Sequence, residues 1–291
     1  MPTFVDRAAR ELFRRERLPV RVRWWFVAEG MCEWYRLLAE DLAPYLGGRD
    51  GAKRALSEVS LPMFRRRYGL LSRAHPSLPD DAREPRAIAL VLGALYRVAS
   101  NTGAAWIFAG AGGAPRAFRD HARAEAWIQP IPMVARWEEL THHLGELLVA
   151  LTDGLPARMD RARPILGELC FAAGVRYARK MRRAFGLEGT VGEALEILRM
   201  SEYVFRVNPD HWGTTDERAR TGFLEGTACP WYDAPGWNGA HCGIFGQFQS
   251  GIASAFGLRY HLTTTIPKHG GHTCRVDVRP AGAGRRRLEL A

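Results

Sequence analysis

The sequence lacks a long uncharged apolar run, although 47% of its 291 residues are apolar. A membrane-spanning helix needs roughly eighteen or more such residues in succession. The most apolar stretch, residues 87–115, is interrupted by Arg97, Asn101 and several glycines. Residues 1–26 interleave charged and apolar side chains, so they lack the apolar core of a secretory signal. These absences predict a protein without a membrane span, and we expect it in the cytoplasm.

Lysine is also scarce, since only three of the 41 basic residues are lysines and the rest are arginines. The net charge of +10 raises the question of nucleic-acid binding. However, the arginines form short scattered runs such as Arg65–Arg67, without zinc-finger spacing or an aromatic-interleaved basic module. This pattern disfavours nucleic acid as a partner. It favours a small-molecule substrate, and an anionic one is compatible with the arginine content.

The five cysteines are too few and too widely spaced for the disulfide framework of a small secreted domain. We therefore expect reduced thiols. Cys32 and Cys170 lie in segments with helical apolar spacing, and are predicted to fill the core. The other three cysteines are Cys229, Cys242 and Cys274, and all of them fall in the last third of the chain.

Apolar spacing predicts an α+β fold, with a mostly helical N-terminal region (1–160) packed on a C-terminal antiparallel-sheet domain with helices (161–291). In the N-terminal region we expect helices at 87–99 and 134–151. The second of these contains His142 and His143, which are adjacent and so point about 100° apart, as expected for a helix surface and edge rather than a metal pair.

The C-terminal domain is predicted to run two helices, two strands, one helix and two strands, with a glycine-containing hairpin turn before the last strand. The expected helices are 164–185, 189–201 and 243–256, and the expected strands are 202–207, 219–231, 259–266 and 274–280. A homo-oligomer is compatible with this sequence.

Cys242 would begin the predicted 243–256 helix, where free backbone N–H groups and the helix dipole stabilise a thiolate. This position predicts a reactive cysteine. His241 is adjacent, but neighbouring side chains diverge, so His269 or His272 of the hairpin turn is a better candidate to exchange protons with it. The alternative is that Cys242 is a small apolar cap of the helix.

A zinc site is a second alternative for the same cysteines. Cys229, Cys242 and Cys274 would supply three thiolates, and a histidine or a carboxylate would complete the tetrahedron. Their spacing is not that of a CxxC knuckle, so the sequence leaves a metal site and a nucleophile both open.

Aromatic residues surround the first of these cysteines. Trp231, Tyr232 and Trp237 would line a pocket for a flat small molecule or simply cap the sheet. Asp233, in the same loop, would be a general base, a contact to a substrate amine, or a turn residue.

Residues 226–278 resemble the L-2-amino-thiazoline-4-carboxylic acid hydrolase family, and also the related 4-vinyl-reductase-type ligand-binding domain. The resemblance, which extends over about residues 164–279, is carried by a Cys-Pro after a strand, a cysteine entering an aromatic helix, an arginine-aromatic strand, and a glycine turn before a cysteine-led strand. These features are Cys229 with Pro230, Cys242 with Phe245, Arg259 with Tyr260, and Gly270 and Gly271 before Cys274. The sequence departs from the hydrolase pattern at Gly246 and from the ligand-binding pattern at Ile266, each of which stands where another cysteine is usual.

The resemblance implies a hydrolase that opens a small heterocycle and requires no cofactor. Cys242 would be the nucleophile, Cys229 the competing choice, and one of the nearby histidines would shuttle protons. Phe245 and the aromatic loop would contact the substrate, and arginines such as Arg259 would bind its carboxylate. The alternative is a non-catalytic protein that binds an aromatic or tetrapyrrole-like ligand, with zinc as its metal.

Overall fold

A computed structural model describes residues 3–80, 86–98, 104–111, 121–205, 212–226, 229, 231, 234–265 and 273–282. The chain forms two compact units. The N-terminal unit is Pro19–Asp160, and the C-terminal unit combines Met1–Leu18 with Arg161–Ala291. The sequence interpretation assigned residues 1–18 to the N-terminal region, whereas helix α1 (Phe4–Arg14) packs against the helices that follow Arg161.

The N-terminal unit is built from helices. They are α2 (Val20–Asp41), α3 (Arg49–Ala74), α4 (Ala87–Leu95), α5 (His121–Ile128) and α6 (Met133–Gly154), with 3-10 turns at Ala43–Tyr45, Ala105–Ala111 and Leu155–Ala157. Every residue of α4 is buried, so this helix forms the centre of the apolar core. Both helices expected in this region are present. In the described part of the chain, no helix is long and apolar enough to cross a membrane.

A buried ionic network links α3 to α6. The Arg67 guanidinium donates from Nε to Glu139 Oε1 at 2.9 Å and from a terminal nitrogen to Glu146 Oε1 at 3.0 Å. The Tyr96 hydroxyl donates to Glu139 Oε1 at 3.0 Å. Burial by itself would lower the pKa of Arg67, but the charge and hydrogen bond of Glu139 raise it above its ordinary value. The network therefore keeps charged groups inside the helical core.

His143 lies beside this network and is fully buried, which corrects the expectation that it lies at a helix surface or edge. Its Nε2 is 3.1 Å from the Tyr35 hydroxyl, and the rings of Phe64 and Tyr96 pack against it. Burial lowers the pKa of His143 to about 3, so the imidazole is neutral near pH 7. This burial was not predictable from the local sequence, because the residues that enclose His143 come from α2, α3 and the residue that follows α4.

The Arg67→Met variant is expected to lower the free energy of unfolding by about 3–5 kcal/mol, because it leaves Glu139 buried without its cation. Urea unfolding followed by circular dichroism measures the change. Arg36→Met is the control, since Arg36 pairs with Glu33 in an exposed contact worth about 0–1 kcal/mol. Equal losses in the two variants would contradict the structural role of the network.

The C-terminal unit contains α7 (Ala162–Phe185), α8 (Val191–Val204) and α9 (Gly239–Ser254) together with a four-stranded antiparallel sheet. The strands are β1 (Trp212–Asp216), β2 (Thr221–Gly226), β3 (Leu258–Thr264) and β4 (Cys274–Pro280), in the order β1-β2-β4-β3. The sheet and the helices confirm the predicted α+β fold.

One predicted strand is wrong. Residues 202–204 belong to α8, and residues 206–207 lie outside the described residues. The alternation of Tyr203 and Phe205 is too short to separate a strand from a helix. The first strand is instead β1, which the sequence analysis missed because all of its residues are exposed and carry no apolar alternation.

Helices α7 and α9 touch through their backbones. A methyl group added to Gly174 would lie 1.9 Å from the carbonyl oxygen of Phe248, and one added to Gly251 would lie 2.1 Å from that of Phe171. Atoms cannot approach so closely, so these positions require glycine. This contact fixes α9, which separates α7 from the inner face of the sheet.

The Gly251→Ala variant is expected to destabilise the protein by about 3 kcal/mol, because the added methyl group forces the two helices apart. Gly243→Ala, in the same helix, is the matched control. Nothing lies within 4 Å of the methyl group it would add, so the better helix propensity of alanine should stabilise by up to about 1 kcal/mol. Urea unfolding of both variants measures whether the two changes in stability have opposite signs. A stabilised Gly251→Ala would refute the close contact between the backbones of α7 and α9.

The inner face of the sheet carries its apolar side chains. Leu224, Val276 and Val278 are buried there. In β3 the pairing shifts between Leu262, which lies opposite Val276, and Thr264, which lies opposite Arg275. This irregularity inserts one extra residue, so the alternation of faces reverses after it.

Candidate functional site

A small cavity of about 80 Å³ lies in the C-terminal unit. Its lining comes from α8, α9, the sheet and the loop that precedes α9, and consists of Glu202, Leu224, Cys229, Trp231, Trp237, Cys242, Phe245, Gln249, Tyr260, Leu262, Thr265, Cys274 and Val276. We call it the thiol cavity because three of the five cysteines line it. The sequence interpretation expected these three cysteines, which are far apart in the chain, to come together around an aromatic cavity beside the hairpin that carries His269 and His272. The structure brings the cysteines to one cavity, and both histidines lie outside the described residues.

Cys242 is the fourth residue of α9. Its sulfur accepts a hydrogen bond from the indole nitrogen of Trp237 at 3.3 Å. Burial raises the pKa of the Cys242 thiol to about 11, the Trp237 hydrogen bond opposes this shift, and the nearby Cys274 adds to it. Burial therefore acts against the lowered pKa that the position of Cys242 in the first turn of the helix predicts.

The side chain of His241 takes part in the cap at the start of α9. Its Nδ1 accepts a hydrogen bond from the Asn238 backbone at 3.1 Å, while the Asn238 side chain accepts one from the Ala240 backbone at 2.9 Å. This reciprocal capping box ties the loop to the first turn of α9. The ring is almost fully buried, and it does not contribute to the described lining of the thiol cavity. His241 therefore positions Cys242 by fixing the start of the helix.

Aromatic rings form one wall of the thiol cavity. The rings of Trp231 and Phe245 meet edge to face with centroids 4.7 Å apart, and Trp231 lies 5.4 Å from Trp237. The sequence left a pocket lining and simple packing open for Trp231 and Trp237, and Phe245 was expected to contact the substrate. Trp231, Trp237 and Phe245 all line the cavity, and Trp231 is only 2% exposed. The same rings therefore pack in the core and form the cavity wall.

A series of hydrogen-bonded polar side chains, which the sequence analysis missed, lies along the other wall of the thiol cavity. The Tyr260 hydroxyl donates to Gln249 Oε1, and the Gln249 amide nitrogen donates to Glu202 Oε1. Burial raises the pKa of Tyr260 well above its ordinary value, and the negative charge of Glu202 raises it further. The chain was not predictable because its members come from three separate elements, and Glu202 had been placed in a strand.

Arg259 does not reach the thiol cavity. It is exposed on the outer face of β3, opposite Arg279 of β4, whereas its neighbour Tyr260 faces inward. The alternation of a strand sends consecutive side chains to opposite faces, so these two residues cannot both contact one ligand. The predicted role of Arg259 as a carboxylate anchor is therefore not supported by its position.

Four of the predicted site residues lie outside the described residues: Tyr232, Asp233, His269 and His272. Their roles stay predictions. Within the described part of the chain, no three or more His, Cys, Asp or Glu side chains are arranged to hold a metal ion. A zinc site at the three thiols, which needs a further ligand, also stays a prediction.

A larger hollow of about 510 Å³ lies on the outer face of the sheet, against Thr214, Phe223, His261 and Asp277. It is open to solvent, and no cysteine lies among its described lining residues. The thiol cavity is smaller but joins candidate nucleophiles, aromatic walls and an oriented carboxylate, so it is the better candidate site.

No protein-family model matches the chain. No curated protein and no solved structure matches it either. The family resemblance noted above therefore depends on its motif residues alone.

The raised pKa of Cys242 predicts how this thiol reacts with iodoacetamide. Because only the thiolate reacts, the alkylation rate should rise about tenfold per pH unit from pH 7 to pH 10 without a plateau. Mass spectrometry of the peptide that contains Cys242 measures the rate, and Cys242→Ser is the control for assignment. A plateau near pH 7 would instead indicate a thiolate stabilised by the helix end.

Proposed function

We propose that the C-terminal unit hydrolyses a small nitrogen-containing heterocycle, with Cys242 as the nucleophile. The observation that carries the proposal is the thiol cavity itself, in which Cys229, Cys242 and Cys274 meet beside aromatic rings. Cys242 is the first choice among them because the capping box and the Trp237 hydrogen bond hold its sulfur in place. The resemblance to the hydrolase family supports the same assignment.

A neutral thiol is suited to a cyclic amidine, because the substrate can accept the thiol proton. The Cys242 sulfur forms a bond to the amidine carbon, the C=N electrons move to the ring nitrogen, and the proton passes from sulfur to that nitrogen. The lone pair on that nitrogen then re-forms the C=N bond as the bond from the amidine carbon to the other ring heteroatom breaks, and the departing heteroatom takes the proton from nitrogen. Water adds to the same carbon and gives one proton to nitrogen. A C=O bond then forms as the carbon–sulfur bond to Cys242 breaks, and the Cys242 sulfur takes the second proton of the water. The net reaction consumes one water and opens the ring.

The size of the thiol cavity favours a ligand of few atoms. Pockets for drug-sized ligands span roughly 300–1,000 Å³, several times the 80 Å³ found here. A small heterocycle suits this volume better than a tetrapyrrole does. The high pKa of Cys242 favours a second candidate function, a protein that binds a small molecule without turning it over.

The Cys242→Ser variant is expected to reduce ring opening by at least about a hundredfold, since a serine hydroxyl without an activating base is a much weaker nucleophile than a thiol. The probe is 2-amino-2-thiazoline, tested with and without a 4-carboxylate, and chromatography measures its loss. Cys229→Ser tests the competing nucleophile, and Cys170→Ala controls for loss of a thiol buried elsewhere in the same unit.

Full turnover by Cys242→Ser would eliminate Cys242 as the nucleophile. If the unmodified protein binds the probe in calorimetry but never consumes it, the binding function replaces the hydrolase. Loss of activity in Cys229→Ser alone would transfer the nucleophilic role to Cys229.

A further inference from the structure

Two arginines face each other on the outer side of the sheet, away from the thiol cavity. Arg259 of β3 lies directly opposite Arg279 of β4, and both side chains are exposed. We call them the arginine pair. Side chains directly opposite each other on one face of a sheet have Cβ atoms about 4.5–5.5 Å apart, and like charges in this arrangement are destabilising. The sheet therefore holds two positive charges side by side.

The carboxylates nearby are engaged elsewhere. Glu225 and Asp277, on the same face, both form ion pairs with Arg275, with nitrogen–oxygen distances of 3.6 Å and 3.2 Å. Asp216 lies on β1, two strands away from β4, and accepts a hydrogen bond from the Ala219 backbone at 2.9 Å. Neither guanidinium of the arginine pair is bound to a carboxylate of any residue that the structure describes. An anion between the two would offset their repulsion and accept charge-assisted hydrogen bonds from both.

The arginine pair borders the hollow of about 510 Å³ on this face of the sheet, because Arg279 is one of the residues that line it. We call this space the outer hollow. Its volume falls within the range of roughly 300–1,000 Å³ that is usual for sites of small organic ligands. A lone inorganic anion would fill only part of such a space. The outer hollow therefore suits an organic molecule that carries an anionic group at one end.

Hydrogen-bonding side chains line the rest of the outer hollow. His261 and Asp277 form the next outward-facing pair along β3 and β4. The Phe223 ring is also part of the lining, but the Arg275 guanidinium lies 3.9 Å from its centroid and covers it. Hydroxyl groups, which both donate and accept hydrogen bonds, come from Thr214, Thr221 and Thr263. This lining favours a ligand rich in hydroxyl groups over an apolar one.

We propose that the outer face of the sheet binds a phosphate ester of a small polyhydroxylated molecule, of the sugar phosphate class. The phosphoryl group lies between Arg259 and Arg279, and the hydroxylated body lies in the outer hollow against the threonines and His261. A phosphoryl group suits two guanidinium groups better than a carboxylate does, because it offers three terminal oxygens and a charge close to −2 near pH 7. This site is separate from the thiol cavity, and the inference goes beyond the proposed function.

Glucose 6-phosphate, glucuronate and glucose test the anionic group, because they carry a phosphate, a carboxylate and a hydroxyl group at the same end of one sugar. Isothermal titration calorimetry on the full chain at pH 7 and low salt should give a dissociation constant for glucose 6-phosphate at least about tenfold lower than for the other two. Inorganic phosphate, which lacks the hydroxylated body, should bind more weakly than glucose 6-phosphate. Added sodium chloride should weaken the binding, since exposed charges are screened over about 10 Å at 0.1 M salt.

Arg279→Gln removes one charge of the arginine pair, so it should weaken the binding of glucose 6-phosphate at least about tenfold. Arg179→Gln is the matched control, because Arg179 is exposed on α7 in the same unit. Circular dichroism checks that each variant folds, and Arg259→Gln replaces Arg279→Gln if the latter does not. Cys242→Ser should bind glucose 6-phosphate as the unmodified protein does, which places the ligand outside the thiol cavity.

The inference would be overturned by equal affinities for glucose 6-phosphate and glucose, or by unchanged binding in a folded Arg279→Gln. Tighter binding of glucuronate would assign the arginine pair to a carboxylate and contradict the phosphate ester. Inorganic phosphate that binds as tightly as glucose 6-phosphate would contradict the role of the outer hollow. The proposed function is decided separately, by ring opening in Cys242→Ser, and neither result bears on the other.

Discussion

The thiol cavity depends on one steric constraint, the contact between the backbones of α7 and α9. Gly174 and Gly251 let each helix approach a carbonyl oxygen of the other more closely than any side chain would allow. Between these contacts and the sheet, α9 has little freedom to shift or rotate. The same helix supplies Cys242, Phe245 and Gln249 to the cavity. Thus two residues without side chains determine where the cavity-lining side chains of α9 lie.

Burial and position in a helix make opposite demands on a cysteine. The first turn of a helix favours a thiolate, whereas an enclosed cavity favours a neutral thiol. At Cys242, burial raises the pKa of the thiol. Asn238 and His241 meanwhile form the cap at the start of the same helix. His241 and Cys242 are adjacent in sequence, yet one closes the helix and the other lines the cavity. The two side chains diverge, as the sequence analysis expected of neighbouring residues.

Sequence reasoning succeeded where a feature is encoded locally. The predicted helices that correspond to α7, α8 and α9 and the strands β3 and β4 all carry periodic apolar residues. Sequence reasoning failed where contacts between distant segments determine the position of a side chain. The burial of His143, the outward direction of Arg259 and the chain from Tyr260 to Glu202 each depend on residues from distant segments. No local pattern encodes the convergence of the three cysteines. It was predicted instead from the residue types and from the family resemblance.

The extra residue in β3 decides which threonine faces the thiol cavity. If the same residues paired regularly beyond Leu262, Thr264 would lie on the inner face, because Leu258, Tyr260 and Leu262 alternate inward along the strand. With the irregular pairing, Thr265 lies inward and lines the cavity, while Thr264 is exposed. Deleting Thr263 would restore regular pairing and still leave Thr265 on the inner face, while the pairing of β2 with β4 stayed intact. This edge of the cavity therefore tolerates the loss of one residue that, in a regular strand, would turn every following side chain to the opposite face.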